Sequence, residues 1–229
     1  CTFIENNASG YLSGGTGAGG YIKAGQPTII NSRFLKNTAQ SAGGALYIRT
    51  GQLTVINSIF SGNVAGGGGA IMTSELASVV NLTNCTFNHN QAEISGGIHT
   101  LSGSKPVITN CIFWGNKDKN GNILTSQINA INPVINYSCI QNWSFSYGVG
   151  NISDNPLFID YDGNDGIVGT EDDNLKLDQI SPCNDAANNN AVPLDLYGQR
   201  RRHCGGFYVP AHYRIVDRRG GRVSVFFSL

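Results

Sequence analysis

Charged side chains are scarce in this sequence, and long apolar runs are missing altogether. Asp, Glu, Lys and Arg make up 13% of the 229 residues, about half of the usual share. The surface of the folded chain must therefore rely on Asn, Ser and Thr for its solubility. No apolar run approaches the roughly 18 residues that a membrane-spanning helix requires, so we expect no transmembrane helix in this stretch.

Cysteine is present but not in the spacings that bind metal. The six cysteines show no Cys-x-x-Cys pair and no associated histidine pattern, which argues against a zinc site; they are Cys1, Cys85, Cys111, Cys139, Cys183 and Cys204. Cys85 and Cys111 lie one repeat apart, close enough for a disulfide. Ser32 and Ser58 occupy the same place in other repeats, which favours buried thiols over a bond.

One sequence motif occurs three times in the middle of the chain. A Gly-Gly-Ala-Ile-like group is followed by Phe-x-x-Asn, at Gly43-Gly44-Ala45-Leu46 and Phe60, at Gly68-Gly69-Ala70-Ile71 and Phe87, and at Ser95-Gly96-Gly97-Ile98 and Phe113. The Phe-x-x-Asn marker also occurs at Phe3 and Phe34, its spacings are 31, 26, 27 and 26 residues, and Ile140 follows 27 further on. A fixed period of this kind indicates a repeat architecture.

Each repeat has the composition of short strands separated by turns. Three apolar runs, rich in β-branched and aromatic residues, alternate with Gly, Asn, Ser and Thr. No window holds a 3.6-residue periodicity long enough for a stable helix. Leucine-rich and WD repeats are disfavoured, since the asparagine follows phenylalanine, no Trp-Asp pair occurs, and a propeller blade needs about 40 residues. Three strands in about 26 residues predict one coil of a parallel β-helix, with five to six coils in all.

Equivalent residues of such coils stack in columns about 4.8 Å apart, and the columns share a chemistry. The phenylalanines form one interior column. A second apolar column is predicted from Ile29, Val55, Leu82, Ile108 and Val134, and a small interior column from Cys1, Ser32, Ser58, Cys85 and Cys111. Two asparagine columns are predicted at corners: Asn31, Asn57, Asn84, Asn110 and Asn136, and then Asn6, Asn37, Asn63, Asn90 and Asn116. Asparagine accepts left-handed backbone and can bond to the amide of the next coil.

Glycines are expected at a third corner, where positive φ or close backbone approach is needed. The glycine-rich residues 7–20 lengthen the first interval, so we expect a loop that bulges from the coil there.

The Gly-Gly-Ala-Ile and Phe-x-x-Asn repeats resemble those of chlamydial polymorphic outer membrane proteins and related right-handed parallel β-helix proteins of bacterial surfaces. The resemblance covers residues 1 to about 140. It implies the pectate-lyase-like fold, export and surface display, and it supplies no catalytic residue. The first residues read as the tail of a repeat, so we expect a piece of a longer protein whose export signal lies upstream.

Charge divides the chain into three parts, which we take as its domain organisation. Residues 1–150, the β-helix repeats, carry a net charge of +3; residues 151–198 carry −9; residues 199–229 carry +6. Residues 151–198 resemble the closing segment of many bacterial β-helix repeat proteins, which implies an irregular C-terminal cap over the last coil. The basic tail is either a binding segment for nucleic acid or an anionic surface, or an atypical, poorly ordered terminus, and we expect no nucleic-acid partner.

Carboxylates and a side-chain amide alternate around two glycines in the acidic segment. Such a loop can wrap calcium with six to eight oxygens, although its second glycine is one place late for an EF-hand and no flanking helices are evident. We predict a structural calcium ion; its ligands are Asp160, Asp162, Asn164, Asp165 and Glu171. The alternative is a solvated acidic turn.

The repeats present few groups for catalysis. A lyase needs a basic residue near an acidic carbon, and a glycosidase needs two carboxylates about 5 to 9.5 Å apart; the four acids of the repeats fall in different columns. An outward column after the glycine corner offers aromatic and imidazole surface that can stack on sugar rings; it reads Lys23, Tyr47, Met72, His99 and Leu124. The predicted ligand-binding residues are the first four, Lys23, Tyr47, Met72 and His99.

We therefore expect a non-enzymatic, monomeric surface or secreted module of adhesin or passenger type. Its partner would be a polysaccharide or a host or cell-surface protein, and it would associate with a membrane only through segments outside this sequence. The alternative is a polysaccharide lyase or glycoside hydrolase whose site lies partly in coils upstream.

Overall fold

The computed structural model describes residues 1–10, 14–74, 78–101, 104–146, 148–184 and 186–188. Within these ranges the chain winds as a right-handed parallel β-helix of about five coils, which confirms the predicted all-β fold class. The basic tail, Cys204 and the end of the acidic segment lie outside the described residues, so the predictions about them are not addressed.

The strands are short and follow one another around each coil. In chain order they are β1 (Thr2–Ile4), β2 (Asn7–Ala8), β3 (Gly20–Ile22), β4 (Thr28–Ile30), β5 (Arg33–Leu35), β6 (Thr38–Ala39), β7 (Leu46–Ile48), β8 (Gln52–Ile56), β9 (Ile59–Ser61), β10 (Val64–Gly67), β11 (Ile71–Thr73), β12 (Val79–Thr83), β13 (Thr86–Asn88), β14 (Gln91–Ile94), β15 (Ile98–Thr100), β16 (Val107–Thr109), β17 (Ile112–Trp114), helix α1 (Leu124–Gln127), β18 (Ile128–Asn129), β19 (Val134–Asn136), β20 (Cys139–Ile140), β21 (Phe158–Asp160) and β22 (Asn174–Leu177).

Four parallel sheets form the sides of the solenoid. The phenylalanine sheet is β1-β5-β9-β13-β17-β20, the short-strand sheet β2-β6-β10-β14, the tyrosine sheet β3-β7-β11-β15-β18, and the threonine sheet β4-β8-β12-β16-β19. The prediction of three strands per coil was therefore wrong. The strands of this fourth sheet have only two to four residues, and each contains an alanine; Ala39, Ala65 and Ala92 are buried.

The phenylalanines form one internal stack, as predicted. Phe34 pairs with Phe60, Phe60 with Phe87 and Phe87 with Phe113 in register. Neighbouring ring centroids, including that of Phe3, lie 4.3 to 4.9 Å apart with the rings within 3° of parallel. The four central rings are completely buried, so this offset-stacked column fills the core along the solenoid axis.

In the last coil, two of the predicted column members are wrong by one residue. Ile108 pairs with Ile135, so the buried apolar column ends at Ile135, while Val134 is 49% exposed. The left-handed corner residue that follows Asn110 is accordingly Tyr137, with φ 51°, and not Asn136. The sequence prediction placed Val134 in this column because Val134 and Ile135 are both apolar. In the earlier coils the inward apolar residue stands five positions before the phenylalanine, and Ile135 stands five positions before Ile140, which takes the phenylalanine place.

The two asparagine corners work differently. At the first, Asn31, Asn57, Asn84 and Asn110 themselves adopt left-handed backbone, with φ between 51° and 55°. At the second, the left-handed residue precedes the asparagine and is Glu5, Lys36, Gly62, His89 or Gly115. The second-corner side chains bond in a ladder from coil to coil, from Asn6 through Asn116 to Gln127, as the sequence predicted.

Glycine at the third corner permits close approach of successive coils. A Cβ on Gly44 would lie 2.3 Å from the carbonyl oxygen of Gly69, which no side chain can accommodate.

The expected bulge over residues 7–20 is narrower than predicted. Ala8 pairs with Ala39 and Thr16 with Ala42, so the extra residues lie between Ala8 and Thr16 and the chain is regular again from Thr16 onward.

The small interior column holds serine and cysteine in equivalent roles. Ser58 Oγ donates to the Ile56 carbonyl at 2.9 Å, and Cys85 Sγ donates to the Thr83 carbonyl at 3.4 Å. Cys85 and Cys111 are buried thiols on adjacent coils, which agrees with the favoured interpretation and not with a disulfide between them.

The C-terminal part covers two different surfaces, and only one of them is the expected end. Ile152 extends the phenylalanine sheet past β20, since its N–H donates to the Ser138 carbonyl at 3.0 Å, and Trp143 packs against the main core. Residues 156–184, here called the brace, instead run back along the outer side of the phenylalanine sheet. Phe158 and Leu175 of the brace cover Leu35 and Ile59.

Candidate functional site

The outward side of the tyrosine sheet carries a continuous row of side chains, called the tyrosine row below. Strand register places the five residues over one another in the order Tyr21, Tyr47, Met72, His99 and Asn129. Alternation along each strand explains their orientation: Leu46 and Ile48 are buried on either side of Tyr47, and Ile98 and Thr100 are buried on either side of His99.

The two tyrosines form an aromatic platform at one end of the row. Their ring centroids lie 5.4 Å apart with the ring planes inclined by 19°. Tyr21 is 48% exposed, and Tyr47 is half-buried. The platform therefore offers the ring of Tyr21 and part of that of Tyr47 to solvent.

Two of the predicted members of this row are displaced. Lys23 comes one residue after β3 and thus lies beyond Ile22, which pairs with Ile48. Tyr21 occupies the place that was assigned to Lys23, because the strand spacing back from Tyr47 is 26 residues and not 24. Leu124 lies in α1, and Asn129 of β18 takes its place. The row consequently contains no permanently charged side chain.

The charged form of His99 is disfavoured by burial. Burial lowers the pKa of His99 below its ordinary value, since the surrounding protein disfavours the charged imidazolium. Its Nδ1 atom is buried and has no hydrogen-bond partner among the described residues. A neutral imidazole can both donate and accept a hydrogen bond, which suits a hydroxylated ligand.

The predicted calcium ligands lie on the hairpin of the brace but do not converge. Asp160 is in β21, and the other four, Asp162, Asn164, Asp165 and Glu171, lie in the connection to β22. Asp165 Oδ1 accepts a hydrogen bond from the Ile167 N–H at 2.8 Å, so it is used within the loop. Within the described ranges, no three His, Cys, Asp or Glu side chains are grouped closely enough to hold a metal ion. The carboxylates are therefore not gathered into a preformed site, and calcium binding stays a prediction.

Two aspartates of the acidic segment that were not among the predicted calcium ligands organise the same hairpin. Asp172 accepts hydrogen bonds from the Thr170 hydroxyl and from the Asn164 N–H, and the Thr170 bond is the main reason that the pKa of Asp172 is lowered. Burial raises the pKa of Asp173, although its carboxylate accepts from the Gly169 N–H at 2.7 Å. These carboxylates hold the turn.

The acids of the repeats that the structure describes have local roles. Glu5 forms an ion pair with Lys36 at 3.0 Å. Asp118 Oδ1 accepts a hydrogen bond from the Asn120 N–H at 2.7 Å. Glu93 is exposed on β14. Glu75 lies outside the described residues.

An apolar cavity of about 530 Å³ lies at the C-terminal end of the core. It was not predicted, because its walls come from the irregular last coil and from the residues after it. The wall includes Leu124, Ile128, Ile131, Ile135, Trp143 and Phe145. The aromatic pair Trp143 and Phe145, packed edge to face at 5.4 Å, was the available signal.

No helix in the described ranges has the length and apolar character of a membrane span.

Comparison with curated proteins finds no match, and no solved structure matches the chain. The sequence model of the right handed beta helix region matches residues 16–155, which is more than half of the chain and includes every member of the tyrosine row. The protein therefore belongs to the right-handed β-helix family.

Proposed function

We propose that this protein is a non-enzymatic β-helix module, secreted or displayed on a cell surface, that binds polysaccharide along the tyrosine row. The observation that carries the proposal is the stacked pair Tyr21 and Tyr47, which continues in register into Met72, His99 and Asn129. This arrangement combines exposed aromatic area with polar groups in a single line.

Such a row matches the chemistry of a sugar chain. The apolar faces of sugar rings can pack on the tyrosine rings and on the Met72 thioether. The His99 imidazole and the Asn129 amide can then exchange hydrogen bonds with hydroxyl groups. Successive residues lie about 4.8 Å apart, so five of them form a line of about 19 Å, which suits an extended polymer better than a single sugar.

The charge of the row favours a neutral polysaccharide. Lys23 lies outside the row, and burial disfavours the charged form of His99, so the row holds no fixed cation to offset the carboxylates of a polyuronate. Each contact is weak, so affinity would depend on several sugars binding the row at once.

The proposed location outside the cell rests on the low charge and on the resemblance of the repeats to surface β-helix proteins. The chain would act as a monomer, and any membrane attachment would come from segments beyond this sequence. A host or cell-surface protein is the other partner class, and glycosylated proteins would be bound through the same row.

Affinity electrophoresis through gels that contain neutral polysaccharides or polyuronates tests the proposal. We expect retardation by at least one neutral polysaccharide, and a smaller retardation of Tyr47→Ala. Thr54→Ala, on the outward side of the threonine sheet, is the matched control and should migrate like the original chain. Uniform migration in every gel would contradict the proposal, and ultraviolet-absorbing unsaturated product from a polyuronate would contradict its non-enzymatic part.

A further inference from the structure

Two buried thiols meet where the brace joins the last coil. Cys139 is the first residue of β20, and Cys183 lies in the turn that follows Ser181 and Pro182. Both are completely buried and belong to one apolar cluster with Ile112. The side chains come from segments 44 positions apart, so their meeting is a feature of the tertiary fold.

Hydrogen bonds hold both cysteines in position. The neighbouring Cys139 thiol lowers the pKa of the Cys183 thiol, although burial acts in the opposite direction. Cys139 Sγ also donates to the Asp154 carbonyl at 3.2 Å. On the other side, the Cys183 N–H donates to Ser181 Oγ at 3.1 Å, and that hydroxyl donates to the Pro156 carbonyl at 2.6 Å.

This pair differs from Cys85 and Cys111, which also lie near each other. Each of those two thiols donates to the carbonyl two residues before it, which belongs to Thr83 or Thr109. The serine hydroxyls of the same column make the equivalent bond, also to the carbonyl two residues earlier. Cysteine in that column thus replaces serine in a packing role. Cys139 lies outside this column, and Ser138 holds the serine place of its coil.

We propose that Cys139 and Cys183 form a disulfide that fastens the brace to the solenoid when the protein is in an oxidising environment. Such a bond requires neighbouring sulfurs with little backbone movement, and the two side chains already lie in one completely buried cluster. Oxidising compartments outside the cytosol are where structural disulfides form and persist.

The chemistry is a thiol–disulfide exchange with a small disulfide such as oxidised glutathione. The Cys183 thiolate attacks one glutathione sulfur, and the first glutathione leaves as a thiol after taking up a proton. The Cys139 thiolate then attacks the Cys183 sulfur of the mixed disulfide and releases the second glutathione thiol. The protein loses two hydrogen atoms, and the oxidant gains them. Access requires the brace to open locally or to be still unfolded.

Closing this 45-residue loop, counted from Cys139 through Cys183, restricts the unfolded chain and keeps the brace over the phenylalanine sheet. Oxidation is therefore expected to raise the melting temperature by about 10 °C. Reduction would loosen the brace first, since it lies at the edge of the structure and the β-helix keeps its own core.

Peptide mapping after refolding in a glutathione redox buffer tests the proposal. Cys1→Ser and Cys204→Ser are introduced together to remove one exposed thiol and one thiol outside the described residues, and circular dichroism verifies folding. The product is alkylated under denaturing conditions without reductant. We expect a chain two hydrogen atoms lighter than the reduced form, a cross-linked peptide pair containing Cys139 and Cys183, and alkylated Cys85 and Cys111.

A folded product with all four thiols alkylated would overturn the proposal, and so would a cross-link between Cys85 and Cys111. The melting temperature gives a second readout that does not depend on peptide recovery. It should fall on reduction of the double variant, and it should not respond to reductant when Cys183→Ser is added. A response that survives Cys183→Ser would also overturn the assignment.

Discussion

The side-chain amide of Asn63 donates to Oδ1 of Asn90 at 2.8 Å, and the backbone N–H of Asn63 donates to the same oxygen at 3.0 Å. Both residues are completely buried. One asparagine oxygen thus satisfies two donors of the coil before it, while its amide bonds to the coil after it. Because each step repeats this pattern, the corner couples successive coils through polar bonds.

Asn90→Ala is expected to lower the free energy of unfolding by about 3 kcal/mol, because it removes several buried hydrogen bonds at once. The backbone N–H and the side-chain amide of Asn63 lose the oxygen that they share, and the Phe60 carbonyl and Oδ1 of Asn116 each lose one donor. Urea unfolding followed by circular dichroism measures the change. Asn81→Ala, on the outward side of β12, is the control and should stay within about 0.5 kcal/mol. Equal decreases in the free energy of unfolding of the two variants would show that the asparagine ladder does not stabilise the fold more than a surface asparagine does.

Phe60→Ala is expected to destabilise the protein by about 3 to 5 kcal/mol, since it removes a fully buried ring and leaves a cavity. The ring lies between Phe34 and Phe87, with centroids 4.9 and 4.6 Å away. Phe60→Leu keeps most of the volume and should cost about 1.5 kcal/mol or less. Thermal unfolding monitored by circular dichroism separates the two variants. Similar melting temperatures for Phe60→Ala and the original chain would contradict the internal stack.

Acidification is expected to weaken the attachment of the brace through His89. Burial is the main cause of the lowered pKa of His89, nearby Lys117 lowers it further, and Asp162 acts in the opposite direction. The ring stacks on Tyr161 of the brace at 4.7 Å. The unfolded chain therefore binds the proton more readily, so this part of the stability is complete above about pH 6.5 and is lost as the pH falls below it.

Melting temperatures between about pH 7.5 and 5 measure the effect, since this range spans the ordinary pKa of histidine. His89→Asn removes the titrating group and keeps a residue that tolerates left-handed backbone, which this position requires with its φ of 49°. Its melting temperature should vary less over this range than that of the original chain. The same pH dependence in both proteins would assign the effect to another group.

A structural calcium ion in the acidic hairpin remains a prediction from the sequence. Binding to the folded chain alone would add about 2.7 kcal/mol at a calcium concentration roughly one hundred times the dissociation constant. The melting temperature should then rise with calcium and not with sodium at equal ionic strength. Asp162→Asn together with Asp165→Asn should abolish the rise. A constant melting temperature up to millimolar calcium would rule the ion out.

The sequence predicted the solenoid because its inward columns are uniform. Phenylalanine recurs at one place in successive coils, so the period and the stack could be read directly. The tyrosine row was predicted only in part, since the extra residues before Thr16 disturb the first interval and conceal Tyr21. At the other end, α1 enters the last coil and replaces a regular repeat, which conceals Asn129.

The position of the brace could not be predicted from the periodicity of the repeats, although a local signal exists. In three strands an apolar residue stands directly beside the inward phenylalanine; these residues are Leu35, Ile59 and Ile112. Since side chains alternate between the two faces of a strand, each of the three must face outward. All three are buried, under the brace or in the cluster around Cys183. Consecutive apolar residues on a strand indicate burial on both faces, but nothing in the sequence identifies the segment that covers them.

Isothermal titration of the chain with an oligosaccharide of the most strongly retained neutral polysaccharide tests polysaccharide binding by the tyrosine row most directly. Tyr47→Ala is expected to weaken binding by about tenfold in the dissociation constant, because a stacking contact contributes roughly 0.5 to 1.5 kcal/mol and about 1.4 kcal/mol corresponds to a factor of ten. Thr54→Ala should bind like the original chain. Equal affinities of Tyr47→Ala and Thr54→Ala for the oligosaccharide would contradict binding at this row.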